Sequence, residues 1–117
     1  MKENIIQDRS YKFALRVIRL YRYLTESKKE YVLSKQILRS GTAIGANVEE
    51  AIGGQSRKDF ISKLSIAYKE ARETNYWLKL LMDSSYLEKS DAQDIINDCN
   101  EILKIIGSIQ RTTKNNS

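Results

Sequence analysis

The first 23 residues contain a row of side chains that could bind phosphate groups. They are separated by 3, 4, 3 and 4 residues and are Arg9, Lys12, Arg16, Arg19 and Tyr23. At about 100° per residue they share one side of a helix, with Arg22 beside them. Basic groups at this spacing can bind successive phosphates, and a tyrosine can stack on an exposed base. A solvated helix face that binds nothing is the alternative interpretation.

The positive charge is concentrated in the first half of the chain. The 117 residues carry a net charge of +5. Residues 1–58 contain 12 basic and 6 acidic side chains, whereas residues 59–117 contain 8 basic and 9 acidic ones. We therefore expect a polyanion such as nucleic acid to contact mainly the first half. The candidate contact residues are Arg9, Lys12, Arg16, Arg19, Arg22, Tyr23, Lys28, Lys29 and Lys35.

The residue types argue against most catalytic and metal sites. The chain has no histidine and one cysteine, Cys99, which excludes Ser-His and Cys-His pairs and zinc sites built on these ligands. The remaining option is a carboxylate site for Mg²⁺. Its candidates are Glu49, Glu50, Glu70 and Glu73. Glu49 and Glu50 are adjacent in sequence and cannot share one helix face, which weakens a common metal site. We therefore predict a protein that is not an enzyme, with no cofactor and no bound metal.

Four segments have apolar residues at helical spacing, and the chain contains no proline to interrupt them. They span about 7–26, 32–52, 56–84 and 90–110. The first is expected to begin with Asp8 as its cap, and the last to be frayed beyond residue 110. Short connections favour antiparallel neighbours. The sequence thus predicts an all-α fold, a single domain over residues 1–117 built as an antiparallel up-down four-helix bundle.

The second and third helices carry polar rows beside their apolar seams. If these rows approach each other, hydrogen bonds between them would fix the register of the two helices. Arg39 could then pair with Glu70 or Glu73. We interpret the set as a structural polar network rather than an active site. Its members are Gln36, Arg39, Ser40, Asn47, Glu50, Glu70 and Glu73.

The first helix has more apolar surface than one core seam needs. Beside the seam from Phe13 to Leu24 runs a second row, formed by Ala14, Ile18 and Tyr21. A bundle helix usually buries a stripe of about 100°. The extra row indicates a contact with another subunit, and a broader core face is the alternative.

The run from Gln36 to Ala51, QILRSGTAIGANVEEA, resembles the signature of a bacterial four-helix-bundle family. That family includes proteins encoded in 23S ribosomal RNA intervening sequences and is similar to the accessory variability determinant of diversity-generating retroelements. The match continues through the third helix, including Asp59-Phe60-Ile61 and Trp77-Leu78, and covers nearly the whole chain.

The resemblance implies a ring-like homopentamer with a positively charged surface and without a well-defined enzymatic activity. It also implies a nucleic-acid partner, for which we expect RNA. An adaptor for a ribosomal or reverse-transcriptase partner is the alternative function. The lone cysteine indicates a reducing compartment, and neither a secretory signal nor a run of about 18 apolar residues is visible. We therefore expect a cytoplasmic protein that does not enter a membrane.

Overall fold

The computed structural model describes the backbone of residues 2–115 and the side chains of residues 5–113. It contains α1 (Lys2–Glu26), α2 (Leu33–Ile52), α3 (Arg57–Asp83) and α4 (Lys89–Asn115). No strand occurs in residues 2–115. The predicted all-α fold is confirmed.

The four helices form an up-down bundle. Each helix packs against the next along the chain, and α1 also packs against α4. The bundle measures 47 × 22 × 19 Å along its principal axes. This is the predicted antiparallel architecture, because short connections reverse the chain between neighbouring helices. Among the described residues, no helix combines the length and apolarity that crossing a bilayer requires.

Two helix ends differ from the prediction. α1 begins at Lys2 rather than near residue 7, because the apolar seam extends back to the buried Ile6. Asp8 is therefore not the cap of α1 but lies within the helix. α4 continues to Asn115 instead of ending near residue 110. Ile109 is buried there, and the Thr113 hydroxyl donates to its carbonyl at 2.8 Å, so the last turns remain helical.

The start of α2 depends on Glu30, which is only 9% exposed. Its carboxylate accepts the backbone N–H groups of Val32, Leu33 and Ser34 at 3.2, 3.0 and 2.7 Å. These amides have no acceptor within the helix, so the glutamate satisfies them. Burial on its own would raise the pKa of Glu30, but the three N–H bonds outweigh it and leave the pKa lowered.

At Gly41 the side chain of Val17 from α1 packs directly against the backbone of α2. A β-carbon built on this glycine would lie 2.7 and 2.8 Å from the two methyl groups of Val17. Both residues are buried. The absence of a side chain at position 41 therefore sets the separation of the two helices here.

Candidate nucleic-acid interface

The basic row of α1 lies on the side of the helix that faces α4. Lys12 is exposed, and its Nζ pairs with the Asp8 carboxylate one turn earlier at 3.0 Å. Both side chains are well exposed, so this ion pair adds little stability. Arg9 is exposed, and no ion pair to it forms within the described part of the chain.

Arg16 is held by two aspartates of α4. Its Nη1 donates to Asp98 Oδ2 at 3.2 Å, and its Nη2 donates to Asp94 Oδ2. Burial would lower the pKa of Arg16, but the bonds to Asp94 and Asp98 outweigh it and raise the pKa. These two carboxylates occupy the guanidinium, and phosphate binding by Arg16 stays a prediction. Arg16 links α1 to α4.

A cleft of about 330 Å³ lies between α1 and α4 and is lined by residues of both signs. Arg19 and Tyr23 contribute from α1, Glu88 from the position just before α4, and Asp91 from the first turn of α4. The basic row of α1 thus faces an acidic row of α4. Sequence reasoning missed this pairing, although Asp91, Asp94 and Asp98 repeat at the helical spacing of 3 and 4 residues.

The remaining predicted contact residues surround the first connection between helices. Arg22, Lys28, Lys29 and Lys35 are all exposed, and within residues 5–113 none of them forms an ion pair. The Nζ atom of Lys28 lies 6.0 Å from the centroid of the Tyr23 ring, at the limit of a cation–π contact. Tyr23 is therefore already close to a cation of its own chain.

The predicted polar rows of α2 and α3 meet around Arg39. Its Nη1 lies 3.2 Å from Glu70 Oε1, and its Nη2 pairs with Glu73. Trp77 Nε1 donates to the same Glu73 carboxylate at 2.9 Å. Because one guanidinium bridges two carboxylates on successive turns, this contact fixes α2 against α3.

A second α2–α3 contact lies deeper in the bundle. The hydroxyl of Thr74 donates to Ser40 Oγ at 2.9 Å, and both side chains are buried. Two other predicted members of the network do not take part in it. Gln36 is exposed, and Asn47 Nδ2 donates to the carbonyl of Ala43 within its own helix.

The carboxylates considered for magnesium do not converge. Glu49 accepts Gln7 Nε2 at 2.9 Å, and Glu50 pairs with Lys63 at 3.0 Å. The other two bind the arginine of the polar network. In the part of the chain that the structure describes, no three histidine, cysteine or carboxylate side chains come together as metal ligands.

Comparison with known proteins points to one family. The 23S rRNA-intervening sequence protein family matches the chain over residues 2–108. A crystal structure of a protein of unknown function from the S23 ribosomal protein family of Bacteroides thetaiotaomicron VPI-5482 is 52% identical. The two superpose with a TM-score of 0.94 over 95% of this chain and 99% of the other. No curated protein matches the chain. This protein therefore belongs to the 23S rRNA-intervening sequence protein family.

Proposed function

We propose that this protein is a non-enzymatic, homo-oligomeric helical bundle that binds RNA through a basic surface. The observation that carries the proposal is the group of exposed cations around the first connection, which we call the connection cluster: Arg22, Lys28, Lys29 and Lys35. Cations without a carboxylate partner can exchange their counterions for phosphates at low cost. The name of the family supports RNA as the polyanion.

The cations of the α1 row are expected to contribute unequally to RNA binding. Arg9 and Arg19 are exposed and can add phosphate contacts to the connection cluster. Lys12 and Arg16 already bind aspartates of their own chain. A phosphate would have to displace those carboxylates, so we expect the two paired cations to contribute less.

The test compares cations with and without a partner. Arg22→Gln combined with Lys35→Gln removes two members of the connection cluster. Fluorescence anisotropy with a labelled RNA hairpin that carries single-stranded tails should show binding weakened roughly 10- to 30-fold at physiological salt. The slope of log affinity against log salt should fall by about 1.4 to 1.8, since two phosphate contacts are lost.

Lys12→Gln combined with Lys63→Gln is the matched control. It removes the same amount of charge, but each lysine pairs with a carboxylate of its own chain. Its effect on affinity should be smaller. Equal effects would show that overall charge, and not the connection cluster, governs binding. If the unmodified protein does not bind RNA at all, the proposal is wrong, and an adaptor role toward a ribosomal or reverse-transcriptase partner takes precedence.

Self-association is the second part of the proposal, and we place its contact on the face shared by α1 and α2. Between Gln7 and Glu49 at one end and Lys35 at the other, this face carries no charged side chain among the described residues. The predicted extra row forms part of it, and Tyr11 is 64% exposed at its edge. The uncharged residues are Tyr11, Ala14, Ile18, Tyr21, Leu38, Thr42 and Ala46. A surface without charges over several helical turns fits a contact with a second copy.

Light-scattering mass measures the assembly directly. The protomer is 13.5 kDa, and the pentamer that the family resemblance implies would be five times as heavy. Tyr11→Glu combined with Ala46→Glu should reduce the mass to that of the protomer, because two charges would be buried without partners. Tyr31→Glu combined with Ser62→Glu introduces the same charges at exposed positions elsewhere and should leave the mass unchanged. A monomeric unmodified protein would refute this part of the proposal.

A further inference from the structure

Charge is divided between the two exposed sides of α3. The side that faces α2 carries Glu70 and Glu73, which both bind Arg39. The other side, toward α4, carries Lys69, Arg72 and Lys79, which are exposed. No ion pair to these three cations forms in the described part of the chain. Asp83, the last residue of α3, lies one turn after Lys79 and is the one acid of this helix on the opposite side, where the three cations outnumber it.

α4 extends this cationic surface. Lys104 and Arg111 are exposed on the side of α4 that lies toward α3. Glu101 is the one described acid near them, and it pairs with Lys104 at 3.7 Å. The aspartates of α4 point to the opposite side, where Asp94 and Asp98 bind α1. These five cations of the α3–α4 face thus outnumber its two acids, Asp83 and Glu101, whereas on the α1–α4 face opposite charges lie side by side.

Two tyrosines lie among these cations. A cleft of about 390 Å³ is lined by Tyr68, Arg72, Asn75, Tyr76, Lys79 and Leu103. The Tyr76 side chain is 57% exposed, and its ring meets Trp77 edge-on at 5.2 Å, which restrains its orientation. Asn75 donates to Asn100 Oδ1 at 3.0 Å, and its own buried carboxamide oxygen has no hydrogen-bond partner within residues 5–113. The cleft therefore combines exposed cations, an aromatic ring and an unused acceptor.

From this arrangement we infer that the α3–α4 face binds a single-stranded segment of RNA. Phosphates contact Lys69, Arg72 and Lys79, and an unpaired base stacks on Tyr76. The three cations span about 15 Å along the helix axis, which accommodates a few nucleotides. Stacking requires bases that are free of a duplex, so the face selects unpaired strands. This inference rests on the proposed function, because it assigns a second RNA-binding surface and the form of RNA that it accepts.

Binding of an unstructured, labelled RNA of about 12 nucleotides tests the inference by fluorescence anisotropy. Tyr76→Ala should weaken binding about 5- to 150-fold and leave the salt dependence unchanged, since stacking releases no counterions. Tyr76→Phe keeps the aromatic ring and should restore the affinity. Arg72→Gln combined with Lys79→Gln should instead lower the salt slope by about 1.4. Circular dichroism verifies that each variant remains helical.

Tyr31→Ala is the matched control, because Tyr31 is 52% exposed on the first connection and lies outside this face. It should bind the single strand with unchanged affinity. A blunt RNA duplex of the same length should bind more weakly than the single strand. This inference would be overturned if the Tyr76→Ala and Arg72→Gln/Lys79→Gln variants bound RNA as well as the unmodified protein. If Arg22→Gln/Lys35→Gln still weakened binding in that case, the proposed function would stand. An unmodified protein that binds neither RNA would overturn it together with the proposed function.

Discussion

Glu30 shows how much a single carboxylate contributes to this bundle. It lies outside α2 in sequence but accepts three backbone N–H groups at the start of that helix. Its burial would be unfavourable without these bonds. The same bonds make the stability of the bundle sensitive to acid.

Replacing Glu30 with glutamine should destabilise the protein by about 1–3 kcal/mol at neutral pH, because a charge-assisted cap is lost. The pKa of Glu30 is lowered from its usual 4.5 in the folded protein. Its contribution is therefore complete above that value and disappears as the pH falls through the folded-state pKa. The free energies of unfolding of the unmodified protein and the Glu30→Gln variant, measured with urea, should therefore become equal in acid. Glu26→Gln, at the exposed last residue of α1, should change stability by less than about 0.5 kcal/mol.

Arg16 marks the limit of sequence reasoning for a single residue. Its place on a basic row of α1 follows from spacing alone. Its bonds to Asp94 and Asp98 do not, since those residues are 78 and 82 positions away and only the packing of α4 brings them close. Arg39 was easier to predict, because the polar rows on two helices adjacent in the chain already indicated its partners.

Among the elements, α1 and α2 depend on their close contact at Gly41. Gly41→Ala should destabilise the protein by about 1–2 kcal/mol. The added methyl group would overlap Val17, whose branched side chain cannot easily rotate away. The gain in helix propensity, up to about 1 kcal/mol, offsets only part of this cost. Thermal unfolding measures the difference.

Gly107→Ala is the matched substitution on α4. A β-carbon there would meet only the Arg111 side chain, at 3.4 Å. This variant should be more stable by about 0.5–1 kcal/mol. In a Val17→Ala background, Gly41→Ala should lose most of its cost, since the opposing methyl groups are absent. Similar stability of the two single alanine variants would contradict the role given to Gly41.

Helix positions were more predictable than helix ends. The seam of α3, from Leu64 to Leu81, follows directly from its spacing of apolar residues. The Ser56 hydroxyl accepts the Asp59 N–H at 3.1 Å, so this start also had a local signal. α1 and α4 extend beyond the predicted limits because buried residues near their ends, Ile6 and Ile109, keep the terminal turns packed.

At the scale of the whole molecule, the reactivity of the Cys99 thiol can be used to measure opening of the bundle. It is fully buried, and its thiol donates to the carbonyl of Ala71 at 3.2 Å. Burial, with a smaller effect of Asp98, raises the pKa of Cys99 to about 12. Near pH 8 about one thiol in 10⁴ would be ionised, so native protein should react negligibly with thiol reagents. Labelling should follow the fraction of unfolded molecules as urea is increased.

A variant with Cys99→Ala and Ser62→Cys provides the control, because position 62 is exposed on α3. It should react rapidly without denaturant. Rapid labelling of the unmodified protein under native conditions would mean that α3 and α4 separate locally. Such a result would contradict a bundle that opens as one cooperative unit.

The bundle architecture could be predicted from four apolar seams and short connections. The distribution of charge on its surface could not be predicted from any single helix. Lys69, Arg72, Tyr76 and Lys79 have the same spacing as the start of the α1 row, yet the second half of the chain has no excess of basic residues. Only the packing shows that most acids of α3 and α4 lie toward α2 and α1. Net charge by segment therefore gave no sign of the cations on the α3–α4 face.

The separation of charge across α3 and α4 also affects how the molecule approaches a partner. One long side of the bundle is positive while the adjacent side is nearly balanced, so the molecule has a transverse dipole. In the field of a polyanion this dipole exerts a torque that turns the positive side forward before contact. Productive encounters are then enriched over random ones. We expect added salt to slow association more than it speeds dissociation.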